Sequence, residues 1–203
     1  KSYSISRNNS SSNNINEESS VNHSNNEIYK KAKEKAVEYT RYFGTYLKDR
    51  DATNSRSDYA ATLTYIKKEI TNANRTYAAQ SFTHDRTNFQ NIIVEIKGSD
   101  SSKQIIVGGH FDGTGVGDNA SGTSLILSMI TTIDFIPKYD IKFILFDAEE
   151  IGGYGANYYA SHMSKEEINK TLYMVNIDSI AFGDYCNVYG GTTNRWTNQV
   201  TGT

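Results

Sequence analysis

Between residues 91 and 178, short continuous apolar segments alternate with helix-like segments, and this alternation constrains the fold more than any other feature. Ile105–Val107 and Phe143–Phe146 are uninterrupted apolar runs, which are typical of strands covered on both faces. Asn119–Ile133 lies between them and is predicted to be a helix. Strand–helix–strand alternation predicts an α/β domain with a layered architecture and a largely parallel sheet centre.

The remaining elements follow from periodicity and turn residues. Apolar residues recur every three or four positions from Glu27 to Leu47, which predicts a first helix, and Ser57 is the expected N-cap of a second. The other expected elements are strands at Tyr77–Phe82, Asn91–Ile96, Gln104–Gly108, Ile141–Phe146, Leu172–Ile177 and Cys186–Tyr189 and a helix at Tyr154–Met163.

Residues 1–27 differ in composition from the rest of the chain. Ser and Asn fill most of these positions, and the few apolar residues show no period. Such a segment buries too little apolar surface to offset the entropy of ordering it. We therefore expect a disordered leader or linker at 1–27, followed by a folded domain over 28–203.

Composition excludes several classes of protein. The single cysteine, Cys186, rules out an internal disulfide, and no window approaches the about 18–20 apolar residues of a membrane helix. The net charge of -2 at pH 7 gives no broad basic surface for nucleic acid. We expect no nucleic-acid partner and no membrane span, and the sequence leaves the oligomeric state open.

Acidic residues and one histidine follow the predicted strands. His110 and Asp112 come after the first apolar run, Glu149 and Glu150 after the second, and Asp178 after the third. The segment Gly117–Gly122 contains Asp118. It stands at the start of the helix that is predicted between the first and the second apolar run. Ligands of open α/β sheets bind at the carboxyl ends of strands, so these groups are candidates for one crevice.

Each feature has a simpler interpretation when it is taken alone. A carboxylate after a strand is often a turn residue, Asp118 suits a helix cap, and a single histidine is more often a structural hydrogen-bonder. Gly115–Ala120 also fits a dinucleotide-binding pattern, but Asp118 would repel a pyrophosphate at the helix N-terminus. Together, however, His, Asp and Glu at four strand-end positions match the ligands of a hydrolytic zinc site.

These motifs resemble those of metallopeptidase family twenty-eight, which contains zinc aminopeptidases, with glutamate carboxypeptidases and glutaminyl cyclases as relatives. The resemblance covers roughly residues 57–190. It rests on four segments in order, His110–Asp112, Gly117–Gly122, Asp147–Ala156 and Asn176–Ser179. It implies a three-layer α/β/α sandwich of the zinc-exopeptidase type, with a mixed, centrally parallel sheet that lacks its last strands. Residues 28–203 would then be a partial catalytic domain.

The same resemblance implies a role for each site residue. His110 would bind one zinc, Asp118 would bridge two, Asp178 would complete the first metal's protein ligands, and Glu150 would bind the second. Glu149 would be the general base, and Asp112 would orient His110. The charge balance supports this set of ligands. The four positive charges of two zinc ions would be neutralised by the carboxylates of Asp118, Glu150 and Asp178 and by one bridging hydroxide. Adjacent Glu149 and Glu150 cannot share one role, because consecutive side chains diverge.

One family ligand has no counterpart here. The second zinc's last ligand in the family is a downstream histidine, and no histidine follows Asp178 in this sequence. His162 is the nearest substitute, but it lies at a polar helix end. We therefore expect two zinc ions in a complete catalytic domain but at most one tightly bound by this chain, with an exposed sheet edge or helix face where the family's later elements would pack.

The expected activity is that of a metal-dependent exopeptidase, an aminopeptidase acting on peptide substrates. By the same resemblance, we expect an extracellular, cell-surface or periplasmic location. Two other readings stay open: a non-catalytic protease-like binding module, and a single-zinc acyl transferase of the glutaminyl cyclase type. Loss of the His110 or Glu149 equivalents would indicate the module, and both residues are present. The number of bound zinc ions separates the cyclase from the peptidase.

Overall fold

The computed structural model describes the backbone of residues 12–181, 188–192 and 195–199, and the side chains of residues 26–181. Its helices are α1 (Ser12–Tyr46), α2 (Arg56–Asn72), α3 (Ala120–Thr132), α4 (Tyr154–Ser161) and α5 (Lys165–Lys170). Its strands are β1 (Ala78–His84), β2 (Thr87–Ile96), β3 (Asp100–His110), β4 (Tyr139–Phe146), β5 (Thr171–Asn176), β6 (Val188–Thr192) and β7 (Arg195–Gln199).

The five strands β1 to β5 form one mixed sheet in the order β1-β2-β4-β3-β5. β3 runs parallel to both β4 and β5, whereas β2 runs antiparallel to β1 and β4. β6 and β7 pair antiparallel in a separate two-stranded sheet. The predicted α/β class with a mixed sheet is confirmed, and the parallel part comprises β4, β3 and β5.

Two apolar clusters on opposite faces of the sheet establish the layers. Successive residues of β4 point to opposite faces, and Phe143 and Leu145 belong to one cluster while Ile144 and Phe146 belong to the other. The first cluster includes side chains of α1, α2 and α3, and the second includes Tyr159 of α4. The sheet is therefore covered by helices on both faces, as predicted from the continuous apolar runs.

β5 is an edge strand of the described sheet and is much less covered than its neighbour β3. Its pairing partner on one side is β3, and its side chains are exposed or half-buried along the whole strand. Leu172, Tyr173, Met174 and Val175 are each more than two-fifths exposed. Among the strands that the structure describes, none pairs with the other edge of β5.

The first helix begins earlier than the sequence pattern predicted. α1 starts at Ser12 rather than Glu27, so its backbone takes in most of the Ser/Asn-rich segment, and residues 1–11 lie outside the described residues. The segment 12–27 contains neither Pro nor Gly, and a helix nucleated further along the chain gains one hydrogen bond per added residue. Whether 1–27 acts as a separate leader or linker stays a prediction.

Other boundaries differ in detail. The N-cap of α2 is Ser55, not Ser57, because the Ser55 side chain accepts a hydrogen bond from the amide of Asp58. α4 ends at Ser161 rather than Met163, and the short helix α5 was not predicted. Cys186 lies outside the described residues, and β6 begins at Val188. Among the described residues, no helix is both long and apolar enough to cross a membrane.

Candidate metal centre

His110 ends β3 and lies at the carboxyl edge of the parallel strands. Its side chain is 3% exposed, and its Nε2 atom faces three carboxylates. Asp118 Oδ1 lies 3.0 Å from this nitrogen, Asp178 Oδ1 3.5 Å and Glu149 Oε2 3.9 Å. The segments identified in the sequence therefore bring three candidate carboxylates around one imidazole nitrogen of His110.

Three of these residues form a compact donor group. One ligand atom each from His110, Asp118 and Asp178 lies within 4.8 Å of the others. Asp118 precedes α3, Asp178 follows β5, and both carboxylates are partly open to solvent. One imidazole nitrogen and two carboxylate oxygens suit zinc, whose catalytic sites use three protein ligands and leave a position for water. The donor set therefore fits the metal that the sequence suggested.

The pKa of His110 reflects the surrounding negative charge. Burial alone lowers the pKa of this imidazole, but Asp112, Asp178 and Glu149 outweigh the effect and raise the pKa to about 9. The site therefore favours positive charge at His110, where a metal ion would replace the proton. Its other ring nitrogen, Nδ1, is buried without a hydrogen-bond partner among the described residues.

Asp112 lies beside that nitrogen and holds the loop after β4. Its Oδ1 atom is 3.4 Å from His110 Nδ1. The two carboxylate oxygens accept hydrogen bonds from the backbone amides of Glu149 at 3.1 Å and Glu150 at 3.2 Å. Asp112 thus connects the end of β3 to the loop that carries both glutamates, and its role in orienting His110 stays a prediction.

The two glutamates diverge, as expected of consecutive residues. Glu149 points toward His110 and lines a pocket of about 290 Å³ together with Phe146, Met174 and Asp178. Glu150 is not part of the compact donor group; its carboxylate lies against Gly113, where an added Cβ would meet Oε1 at 2.4 Å. Burial, followed by the charge of Asp118, raises the pKa of Glu150. Its role as a second metal's ligand stays a prediction.

Asn119 is a positioning residue that sequence reasoning did not single out. Its fully buried side chain donates to the carbonyls of His110 at 3.2 Å and Ile177 at 2.9 Å. It accepts from the amides of Gly122 at 2.9 Å and Ser179 at 3.2 Å. One amide therefore joins the ends of β3 and β5 to the start of α3. The sequence pattern placed Asn119 at the start of the predicted helix and suggested Asp118 as its cap, whereas the structure shows Asn119 as the N-cap.

Close backbone packing and local strain accompany this arrangement. A Cβ on Gly122 would meet the Ile177 carbonyl oxygen at 2.4 Å, so only glycine allows α3 to approach the end of β5 so closely. Ala148 and Ser179 have φ angles of 56° and 50°, in the left-handed region. These residues stand directly before Glu149 and directly after Asp178. Strained non-glycine residues of this kind cluster at functional sites.

His162, the substitute ligand considered from the sequence, is not part of the donor group. It is the exposed C-cap of α4. Its ring stacks on Tyr158 with centroids 4.0 Å apart, and Nδ1 lies 2.7 Å from the Tyr158 carbonyl oxygen. These contacts explain its position without a metal.

The fold and the donor group together define an α/β protein with a candidate hydrolytic metal centre at the carboxyl ends of its parallel strands. The sequence of residues 91–201, more than half of the chain, matches the family model of Peptidase family M28. The chain belongs to this family, which confirms the resemblance seen in its motifs.

Named relatives support the assignment. The chain is 35% identical over 107 residues to probable leucine aminopeptidase 2 of Aspergillus oryzae, covering 50% of this chain and 21% of that protein. It is 28% identical over 134 residues to leupeptin-inactivating enzyme 1 of Streptomyces exfoliatus, covering 63% and 31%. The chain therefore spans about a fifth to a third of the length of these curated relatives.

A solved structure supports the fold. Glutaminyl cyclase from an Acidobacteriales bacterium aligns with a TM-score of 0.62, covering 72% of this chain and 58% of that one. The sequences are 20% identical, so this similarity concerns the fold alone.

Proposed function

We propose that this chain carries the catalytic centre of a zinc-dependent aminopeptidase, which removes N-terminal residues from peptides. The observation that carries the proposal is the position of His110 Nε2, which has the carboxylates of Asp118, Asp178 and Glu149 within 3.9 Å. Membership of Peptidase family M28 and the similarity to a probable leucine aminopeptidase support the same activity.

In this proposal His110, Asp118 and Asp178 hold the zinc ion. Zinc bound by such a set acts as a Lewis acid and lowers the pKa of a bound water to about 7. Asp112 stays beside His110 Nδ1, 3.4 Å away, and favours the orientation in which Nε2 faces the carboxylates. The buried imidazole is thus fixed by its strand on one side and by acidic groups on both ring nitrogens.

Glu149 is the proposed general base. Its Oε2 atom lies 3.9 Å from His110 Nε2, beside the donor group rather than within it, and its carboxylate is half-exposed in the pocket. From this position it can accept a proton from water and transfer it to the leaving amine of the peptide. Glu149 therefore moves the proton while the donor group holds the metal.

A co-catalytic second zinc is the finer part of the proposal. Asp118 would bridge the two ions and Glu150 would bind the second, which then has only two protein donors from this chain. Catalytic zinc sites normally have three protein ligands. We therefore expect these 203 residues to bind at most one zinc ion tightly, and binding of two ions would need a third protein donor for the second site. We also propose a secreted or cell-surface location, which fractionation of the source cells would test.

The experiment compares Glu149→Gln with Asp118→Ala in the full-length protein. Glu149→Gln should retain zinc while release of aminoacyl chromophores falls by ~10²–10⁴, the usual effect of losing a positioned acid–base group. Asp118→Ala should lose zinc, because it removes a member of the donor group. Glu166→Gln on exposed α5 is the matched control and should change neither property.

Zinc content by elemental analysis and activity with and without a chelator complete the test. Equal zinc loss in the Glu149→Gln and Asp118→Ala variants would overturn the separation of base and ligand. Activity that persists after a chelator has removed all metal would overturn the zinc mechanism. Cyclisation of N-terminal glutamine with one bound zinc, in place of peptide hydrolysis, would assign the acyl transferase activity instead.

A further inference from the structure

Arg50 is a fully buried arginine in the connection between α1 and α2, far in sequence from the candidate metal centre. Its guanidinium donates three hydrogen bonds, all to backbone carbonyl oxygens. Nε bonds to Phe111 at 2.7 Å, Nη2 to Gly115 at 2.7 Å and Nη1 to Leu47 at 3.1 Å. All three contacts are made to backbone atoms, so they do not depend on the side chains of Phe111, Gly115 and Leu47.

Most of these contacts fall on one loop, residues 111–119, which connects β3 to α3. The guanidinium bonds to the carbonyls of Phe111 and Gly115, and the backbone amide of Arg50 donates to the carbonyl of Gly113 at 2.9 Å. The loop is thus held at three alternate residues. Asp112 lies between Phe111 and Gly113, and Asp118 is the last residue but one of the same loop.

The charge of Arg50 has no direct partner. Within the described residues it forms no ion pair with a carboxylate, although burial of a charge is costly unless other groups compensate. Burial lowers the pKa of Arg50, and the nearby charges of Asp112, Glu150 and Asp118 act in the opposite direction. The positive charge is therefore balanced at longer range by the acidic groups of the metal centre.

We propose that Arg50 is a positioning residue of the metal centre, holding the loop 111–119 so that Asp112 and Asp118 face the two ring nitrogens of His110. The effect of Arg50 on zinc binding rests on the proposed function. Its hold on the loop rests only on the hydrogen bonds described above. Only a planar fork with several donors can reach carbonyls in these directions at once. Lysine would keep the charge and reach one of them.

The first measurement needs no metal. Hydrogen exchange of the metal-free protein is followed over peptides covering residues 111–121, in the wild type and in the Arg50→Lys and Arg50→Met variants. We expect exchange there to accelerate by about tenfold or more in both variants, because the loop loses its anchoring hydrogen bonds. The matched controls are Arg75→Lys and Arg75→Met, since Arg75 bonds to the Ile133 carbonyl beyond the far end of α3. These controls should leave exchange over 111–121 unchanged.

The second measurement is zinc affinity, by competition with a chromophoric chelator. Loss of a group that supports metal ligands typically weakens affinity by about 10–100-fold, and we expect this for Arg50→Met. Arg50→Lys should also be weakened, which separates positioning from charge. A purely electrostatic effect has the opposite sign, since removing a nearby cation would strengthen zinc binding.

The outcomes distinguish the two proposals. Unchanged exchange over residues 111–121 in Arg50→Lys, or zinc affinity equal to or above that of the wild type in both variants, overturns the role of Arg50. If Arg50→Met fails to fold, Arg50→Lys alone decides by the same two criteria. A wild type that binds no zinc overturns the proposed function, and the exchange result still decides whether Arg50 holds the loop.

Discussion

Two fully buried carboxylates stand at opposite ends of β4, and only one of them has ammonium groups beside it. Asp140, at the start of the strand, accepts hydrogen bonds from the Gly98 amide, the Ser101 hydroxyl and the Lys97 ammonium. Burial would raise the pKa of Asp140, but these donors lower it to about 2. The amino end of the strand thus supplies a cation for its buried acid.

Asp147, directly after β4, also has three donors, but none of them is charged. It accepts from the Tyr59 hydroxyl at 2.6 Å, the Gln90 amide at 2.7 Å and the Ala148 amide at 2.8 Å. Burial outweighs these hydrogen bonds, and the charge of Asp112 adds to it, so the pKa of Asp147 is raised to about 7. The donors of Asp140, which include a cation, outweigh the effect of burial on its pKa, whereas the neutral donors of Asp147 do not.

This difference bears on function because the metal centre lies at the Asp147 end. Within the described residues, no lysine or arginine forms an ion pair with the acidic groups of the candidate metal centre, and His110 is their charged partner. A zinc ion would give this end of the sheet the cation that Lys97 gives the other.

The largest expected effect that tests the contrast is the pH dependence contributed by Asp147. Because its folded pKa is above the unfolded value of 3.8, its stabilising contribution is complete below pH 3.8 and is lost as the pH rises through about 7. The difference corresponds to at most about 4 kcal/mol. Urea unfolding of the metal-free protein across this range should show the decline, and Asp147→Asn should flatten it. An unchanged slope in the variant would mean that Asp147 is ionised in the folded state.

The second effect is stabilisation by zinc itself. Because the proposed zinc site exists only in the folded chain, zinc at about 100 times its Kd should stabilise the chain by about 2.7 kcal/mol at pH 7. Thermal unfolding with zinc and with a chelator measures the difference. Asp140→Asn should retain it and Asp118→Ala should lose it. A gain that survives in Asp118→Ala would place the zinc elsewhere.

The position of the candidate centre was predictable from the sequence because it depends on local rules. Apolar runs that end in acidic residues identified the strand ends, and the structure brings His110, Asp118 and Asp178 together there. The α/β class and the helix after β3 followed from the same periodicity. The resemblance of the motifs to the peptidase family added roles, which stay predictions for the individual residues.

What could not be predicted depends on contacts between distant segments. In the sequence, Arg50 falls between two predicted helices and Asn119 at the start of another, yet both are fully buried and hold backbone groups of the centre. The early start of α1 was missed because Ser and Asn lower helix propensity without preventing propagation. The cap at Ser55 depends on the local backbone angles rather than on residue type, since Ser57 is equally suited.

The third effect is the acid stability contributed by Asp140. Its folded pKa is below the unfolded value of 3.8, so the stabilisation is present above pH 3.8 and is lost as the pH falls through about 2. The expected contribution is about 2 kcal/mol. Acid unfolding followed by circular dichroism should show that Asp140→Asn removes this part of the transition. Asp147→Asn is the comparison variant and should leave the acid side below pH 3.8 unaltered.

The smallest effect tests whether the cation is the cause of the low pKa of Asp140. Lys97→Met removes the ammonium 3.0 Å from Asp140 Oδ2, and since Lys97 is largely exposed, the cost at neutral pH should be at most about 1 kcal/mol. The pKa of Asp140 should nevertheless rise, so the loss of stability on acidification begins at a higher pH. Lys35→Met, which removes an exposed ion pair with Glu38 on α1, is the matched control and should leave the acid transition in place. An unmoved acid transition in Lys97→Met would assign the low pKa to the partners that remain, which are the Gly98 and Ser101 donors and the Lys170 ammonium 3.7 Å from Oδ2. The contrast between the two ends of β4 would then not depend on Lys97.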